Sequence, residues 1–479
     1  MSFARHAIQN NNSHGTQYPI IFYVKQALMK STRLEQLEKE AMAPLVLRLA
    51  VPTIVGLCVS AAYQLLNAFF VGRLGAQAVA ALAITFPITM ILTLIGQAVG
   101  TGTASSMARS LGRHDHASAA AFALTAIGLG LSIAILASGC IATSISVLLA
   151  WFGASENTLP YAIEYLRPLL FAQVLLVFNM ICGFIVRAEG NTSISMITQI
   201  VAFALNAVLD PLLIFGLDLG IAGAGFATLV AQAAAAAVYV WHFATARSVV
   251  TLGDHSTIGP LERIRVILTV GGPSALATMI SIGGMWLLNS TAATFGDDTL
   301  AGVGVATRLL SIVALPISGL CIGAQSAIGY NIGAGRSDRV RQALAVILSL
   351  SLAFSSMCAL VGIAQSRALA AWFVSDTSAV AVAEHAIAAF LTAFVCFPAM
   401  AVTITLLQAK GEGAQASLLA ITRHGLFLMP LLLVLPRWLG VSGLIISPVL
   451  SEAAAGLTAM LVLYREWRRL SREERSLRV

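Results

Sequence analysis

From residue 44 onward, long apolar runs alternate with short polar breaks, and the runs repeatedly reach the roughly 20 residues a helix needs to cross a bilayer. They predict spanning helices at 44–70, 78–101, 118–140, 160–186, 193–215 and 221–244. A second set follows at 266–289, 300–328, 342–365, 382–408, 416–436 and 441–464. The longest internal break, 245–265, carries Gly253-Asp-His-Ser-Thr-Ile-Gly-Pro260, which is loop chemistry, and it divides the twelve helices into two sets of six. The two-residue alternation of a membrane β-barrel strand is absent. The pattern therefore predicts an all-α polytopic membrane protein of twelve transmembrane helices. Residues 44–244 form an N-terminal six-helix bundle and 266–464 a C-terminal one. A polar, basic tail occupies 1–43 and ends in Arg33-Leu-Glu-Gln-Leu-Glu-Lys39-Glu, an amphipathic pattern expected to be solvated or interfacial. A basic tail at 465–479 closes the chain.

The two sets repeat one another. Pro52 and Pro273 lie 221 residues apart, as do Gly75 and Gly296, Gly102 and Gly323, and Gly112 and Gly333. Trp151-Phe152 falls on Trp372-Phe373 at the same offset, which slips to 220 only where Gly220 and Gly223 meet Gly440 and Gly443. A constant offset over most of the chain marks a duplication. Six spans is an even number, so both units share one orientation, giving two pseudo-symmetric bundles about an axis along the membrane normal, an arrangement used to enclose a central cavity.

Composition agrees: 58% of the 479 residues are hydrophobic and 10% charged, against about 25% charged in soluble domains. The net charge of +7 does not point to nucleic acid, because most basic residues lie in the tails and in alternate loops. Placing Arg109, Arg113, Arg187, Arg247, Arg263, Arg265, Arg336, Arg339, Arg341 and Lys410 on the side of both termini makes that side cytoplasmic. The expectation is a multi-pass protein of the inner or plasma membrane, in contact with lipid. The six cysteines are scattered through apolar segments and read as core residues, neither disulfides nor a metal site.

Against this background one polar stretch stands out, Asn206-Ala-Val-Leu-Asp210-Pro211, running on through Gly216, Gly220 and Gly223 to Thr228. An ionised carboxylate at a helix centre in hydrocarbon costs at least about 3 kcal/mol, so Asp210 is a functional candidate. Asn206 lies four residues earlier and shares its helix face. If Gly216 and Gly223 flank one turn, Thr228 lies at similar depth on the next span, and Asn67, five residues before Gly72, lies near the same end of the first. Four oxygen-bearing side chains with one formal charge suit a proton or a small monovalent cation. The repeat places Asp210 opposite Pro430 or Leu431 and Asn67 opposite Leu288, so this set is not duplicated.

These residues resemble the multidrug and toxic compound extrusion (MATE) family over nearly the whole chain after residue 43. The likeness rests on Pro52, Asn67-Ala-Phe-Phe-Val-Gly-Arg-Leu-Gly75, Ser110-Leu-Gly112, Arg187-Ala-Glu-Gly-Asn-Thr192, Asn206-Ala-Val-Leu-Asp210 and Gly223-Ala-Gly-Phe-Ala-Thr228. In the second half Gly323-Ala-Gln325 and Tyr330-Asn331-Ile-Gly-Ala-Gly335 also fit. The resemblance implies a secondary active exporter of organic cations or drugs that exchanges them for H⁺ or Na⁺, with no other cofactor. It implies coupling at Asp210, Asn206 and Thr228, with Asn67 standing where many members have an acid, and Na⁺ at Asp210 as the one metal to consider. It also places Tyr165 on the substrate cavity, with which we group Gln325 and the intramembrane Arg308. The partners expected are a cationic or amphipathic small molecule and the bilayer, with no nucleic acid, for a protein that acts as a monomer.

Arg167, Arg308 and Arg423 fall inside predicted spans, where they either pair with Glu164 or Glu452 or bind anionic groups; buried arginines keep open a lipid-linked sugar flippase or an exporter of anionic metabolites of the same superfamily. His114-Asp-His116 lacks a third metal ligand, and the glycine-rich pieces lack a P-loop lysine. A membrane-embedded enzyme would need a cluster of acids or histidines at one interface, which the sequence does not offer.

Overall fold

The computed structural model describes residues 34–245, 248, 256–374 and 376–476. Most of the N-terminal tail, Arg247 and Arg478, and Gly253 to His255 of the connecting loop lie outside the described residues. Eleven helical units are long and apolar enough to cross a bilayer, and the last, Gly413–Arg475, holds two spans. They part at Gly440, whose φ of 58° and ψ of −136° are open only to glycine. The protein is thus a twelve-span, multi-pass membrane protein.

The helices outrun their apolar cores. The second span extends over Ala76–Gly112 and the eighth over Asp297–Gly333. The seventh begins at Pro260, the first-turn position where proline's missing N–H costs nothing, so the connection is shorter than 245–265. The last helix continues to Ser476, so most of the expected C-terminal tail is a helical extension of the last span. Lys410 pairs with Glu466 at 2.5 Å, Arg341 with Glu474 at 2.7 Å, and the Ser337 hydroxyl donates to Glu473 at 2.9 Å, which ties that extension to the ends of the ninth and tenth spans.

The halves meet where the first span packs on the eighth and the second packs on the seventh and eighth. Glycines set the approach. A side chain on Gly271 would overlap the Ala98 carbonyl, and one on Gly102 the Ile267 carbonyl. The contacts are reciprocal across the repeat: Gly112 lies against the Tyr330 carbonyl and Gly333 against the Arg109 carbonyl. Hydrogen bonds seal the same region, with Arg109 donating to the Ala409 carbonyl at 3.0 Å, Ser105 to the Gln408 carbonyl, and Gln97 to Thr278 at 3.3 Å.

A short helix over residues 34–39 completes this closure, and here the expectation of a solvated or interfacial segment needs correcting. Leu37 is buried, touches Gly190 of the first half, and belongs to an apolar cluster made mostly by the second half. Arg336 donates to the Glu38 carbonyl and carboxylate at 2.9 and 2.8 Å, and Arg339 to the Glu40 carbonyl at 2.7 Å. The segment is held because its own carbonyls, at a helix end without intrahelical partners, accept from these guanidinium groups.

All these contacts lie at the end of the molecule that bears residues 34 and 476. Three helical turns from Gly102 and Gly323, on the same faces, Ile91 and Ile312 are 50% and 52% exposed. These two isoleucines are themselves 221 residues apart. The surfaces that touch at one end are therefore uncovered further along, and a cleft opens between the halves toward the end opposite the termini.

Candidate ion-coupling site

The fifth span runs as an α-helix over Thr192–Pro211 and passes into a π-helical turn at Leu212–Gly216. Pro211 cannot donate a backbone hydrogen bond, and π segments recur at functional sites. Asp210 sits immediately before this irregularity and is fully buried. The Asn206 amide donates to its Oδ1 at 3.1 Å, the four-residue pairing expected on one helix face. The other carboxylate oxygen, Oδ2, has no hydrogen-bond partner among the described residues, and no cation is paired with the group.

The sixth span, Gly220–Ala244, is drawn close because Gly223 abuts the backbone of Leu213 and Ile214 and Gly225 abuts that of Tyr165. This brings Thr228 to Tyr63, whose hydroxyl donates to the Thr228 hydroxyl at 3.1 Å. Asn67 donates to the Tyr165 hydroxyl at 3.4 Å. Both tyrosines lie within electrostatic reach of Asp210, and Gln232 borders Tyr63. Asn206, Asp210, Thr228, Asn67 and Tyr165 are thus gathered in one half of the molecule. Tyr63 and Gln232 belong with them, although nothing in their sequence context sets them apart from the other polar residues of the first and sixth spans. Buried oxygens of Asp210, Asn206 and Asn67 are left without donors among the described residues. Buried acceptors of this kind are normally satisfied, and three in one half-bundle suit an incoming proton or a cation with oxygen ligands. Among the described residues there is no group of three or more His, Cys, Asp or Glu side chains able to hold a metal, so His114 and His116 form none.

Two of the residues grouped with the cavity lie apart from Asp210. Gln325 is buried in a small crevice beside Ala104, Phe184 and Arg187, at the closed end of the molecule and away from Asp210. It lies in the stretch of the eighth span where the halves touch. Arg308 is exposed, not buried, and stands eleven residues before Gly319, which touches Ile54 of the first half. Eleven residues make three turns, so Arg308 shares that face and lies roughly 16 Å further along, on the cleft wall. Arg167 and Glu164 are likewise exposed and unpaired among the described residues. Long basic side chains near helix ends can reach the interface along their own stems, which removes the need for a buried partner.

Arg423 alone of the three is largely buried, paired through Nε with Glu452 Oε2 at 2.6 Å. Replacing Glu452 with Gln alone is expected to destabilise the protein by about 3–5 kcal/mol, because it leaves Arg423 uncompensated, whereas adding Arg423→Gln should recover most of the loss. Thermal unfolding of the three purified proteins in one detergent checks this; equal losses in single and double variants would contradict it.

The architecture and the buried acid without a cationic partner among the described residues define an integral membrane transporter. The MatE family pattern matches residues 52–212 and 273–434, one match in each half. The chain belongs to the MatE family, whose members are transporters and not enzymes. Among its relatives is the multidrug export protein MepA of Staphylococcus aureus, 28% identical over 441 residues that cover 91% of this chain and 96% of that one. Among solved structures, an outward-facing multidrug resistance MATE transporter of the MOP superfamily superposes with a TM-score of 0.85 at 26% identity, over 91% and 98% of the two chains. A Pyrococcus furiosus transporter of that superfamily, described as having a binding pocket of reverse polarity, gives 0.84 at 26% identity over the same shares.

Proposed function

We propose that this protein exports amphipathic organic molecules, organic cations foremost, in exchange for H⁺ or Na⁺ taken up at Asp210. The observation that carries the reading is a fully buried carboxylate with no cationic partner among the described residues and one oxygen without a donor. Such a group gains from neutralisation by an incoming ion, and coupling follows if the ion and the substrate bind the two states of the cleft with different affinity. The name of the Staphylococcus aureus relative supports drug export, and the basic surplus on the terminal side supports cytoplasmic termini. With the termini inside, the cleft opens outward, the state in which an ion reaches Asp210 and substrate leaves. A second reading, export of anionic metabolites, is favoured by Arg308 on the cleft wall.

The test is efflux of a fluorescent organic cation from proteoliposomes with a Na⁺ gradient and a pH gradient imposed separately. Export driven by one gradient alone supports the reading and identifies the ion. No response to either, from protein that is folded and inserted, overturns it.

A further inference from the structure

The second half contains a cavity at the place equivalent to the Asp210 site, and its chemistry is different. By the repeat offset, Gly284 stands for Tyr63, Leu288 for Asn67, Pro448 for Thr228 and Glu452 for Gln232. The space that Tyr63 fills in the first half is taken in the second by His424, whose Cβ lies 2.9 Å from where a Gly284 side chain would begin. His424 and Arg423 lie on a π-helical turn, Thr422–Leu428, in the eleventh span. Glu452, Thr307 and Ser451 also line the cavity, and the rest of its wall is apolar and partly aromatic, with Met285, Leu310, Phe390 and Phe394.

Three features point to a ligand. A buried ion pair is a poor source of stability compared with apolar packing, so its presence beside a cavity calls for a use. Glu452 is already neutralised by Arg423, so an incoming cation would meet the guanidinium and not a free carboxylate. Finally, a guanidinium has five N–H donors, and only the Nε edge of Arg423 is engaged by a side chain among the described residues. The rest of the fork is the geometry that holds a carboxylate by two parallel hydrogen bonds. The ring of Phe397, 5.2 Å from the guanidinium carbon, and the Ser451 hydroxyl on the Arg423 carbonyl fix its position.

We propose that this second-half pocket binds the carboxylate of amphipathic aromatic molecules, with Arg423 as the recognising residue and Glu452 as the group that positions it. The site does not depend on ion coupling at Asp210. A molecule carrying both a cationic and an anionic group would find a matching partner in each half.

The test is equilibrium binding to the full-length protein in nanodiscs, using radiolabelled 1-naphthoate and its uncharged analogue 1-naphthamide. Naphthoate is expected to bind at least about tenfold more tightly, the least that a charge-assisted pair supplies. The Arg423→Gln/Glu452→Gln double variant keeps the pocket neutral and should bind the two probes alike, with a cooperative thermal unfolding close to that of the wild type to show that it is folded. Arg308→Gln should keep the preference. Equal binding of both probes by the wild type overturns the proposal without needing any variant to fold, and so does a preference that survives in the double variant or disappears with Arg308→Gln. Asp210→Asn separates the two readings: it should retain the naphthoate preference whether or not gradient-driven export is lost.

Discussion

Asp210→Asn should abolish gradient-driven export while leaving a folded, inserted protein that still binds substrate. The substitution preserves shape and the contact with Asn206, at 3.1 Å, but removes the carboxylate whose charge an incoming ion would neutralise. Transport is expected to fall by at least about tenfold, equivalent to 1.4 kcal/mol. Stability should hold or rise, because a neutral amide is cheaper to bury than an unpaired carboxylate. Rates in proteoliposomes, compared with thermal unfolding of the same preparation, decide the matter. Undiminished uphill export by the Asn protein would remove Asp210 from the coupling mechanism, and a parallel loss of folding would reduce its role to architecture.

Gly271→Leu should shift the protein away from the state seen here. A side chain at this position has no space while Ala98 lies against it, yet it is harmless once the halves separate at that end. Overpacking of this kind costs about 1–3 kcal/mol, and because the cost falls on one state only, it should change the ratio of states by roughly 5- to 150-fold. The measurement is cross-linking between cysteines at Gln97 and Thr278, which hydrogen-bond across the halves, using a short bis-methanethiosulfonate in a background without the six native cysteines. Lower yield in the Leu protein is the expected result. An unchanged yield would mean that the closure can flex around the new side chain, and that these glycines do not set the equilibrium.

The spans were legible because bilayer thickness imposes one length on every apolar run. Asp210 was legible because a lone acid in such a run is costly. Tyr63 and Gln232 were not, since a single tyrosine or glutamine in a span is compatible with many environments, and only the packing of the first span on the sixth brings Tyr63 to Thr228. Nor could the sequence tell the exposed Arg167 and Arg308 from the largely buried Arg423. All three sit in apolar context, and their difference depends on which helix face meets a neighbour. Gln325 was grouped with the cleft residues on the strength of its motif, but depth along a 37-residue helix decides whether a residue lies in the cleft or in the seal. Residues 34–40 look like any amphipathic tail, and their role depends on guanidinium groups about 300 positions away.

The reciprocal pairing of Gly112 with Tyr330 and of Gly333 with Arg109 has a further consequence. Each half presents the same patch to the other, which is the self-complementary geometry of a two-fold dimer. The chain is therefore arranged like a two-fold dimer whose subunits are tethered. In an untethered pair, every substitution would enter the interface twice and any acid at the position of Asp210 would appear on both sides. Joining the subunits lifts that constraint, so that one copy could keep an unpaired acid while the other acquired Arg423 and Glu452.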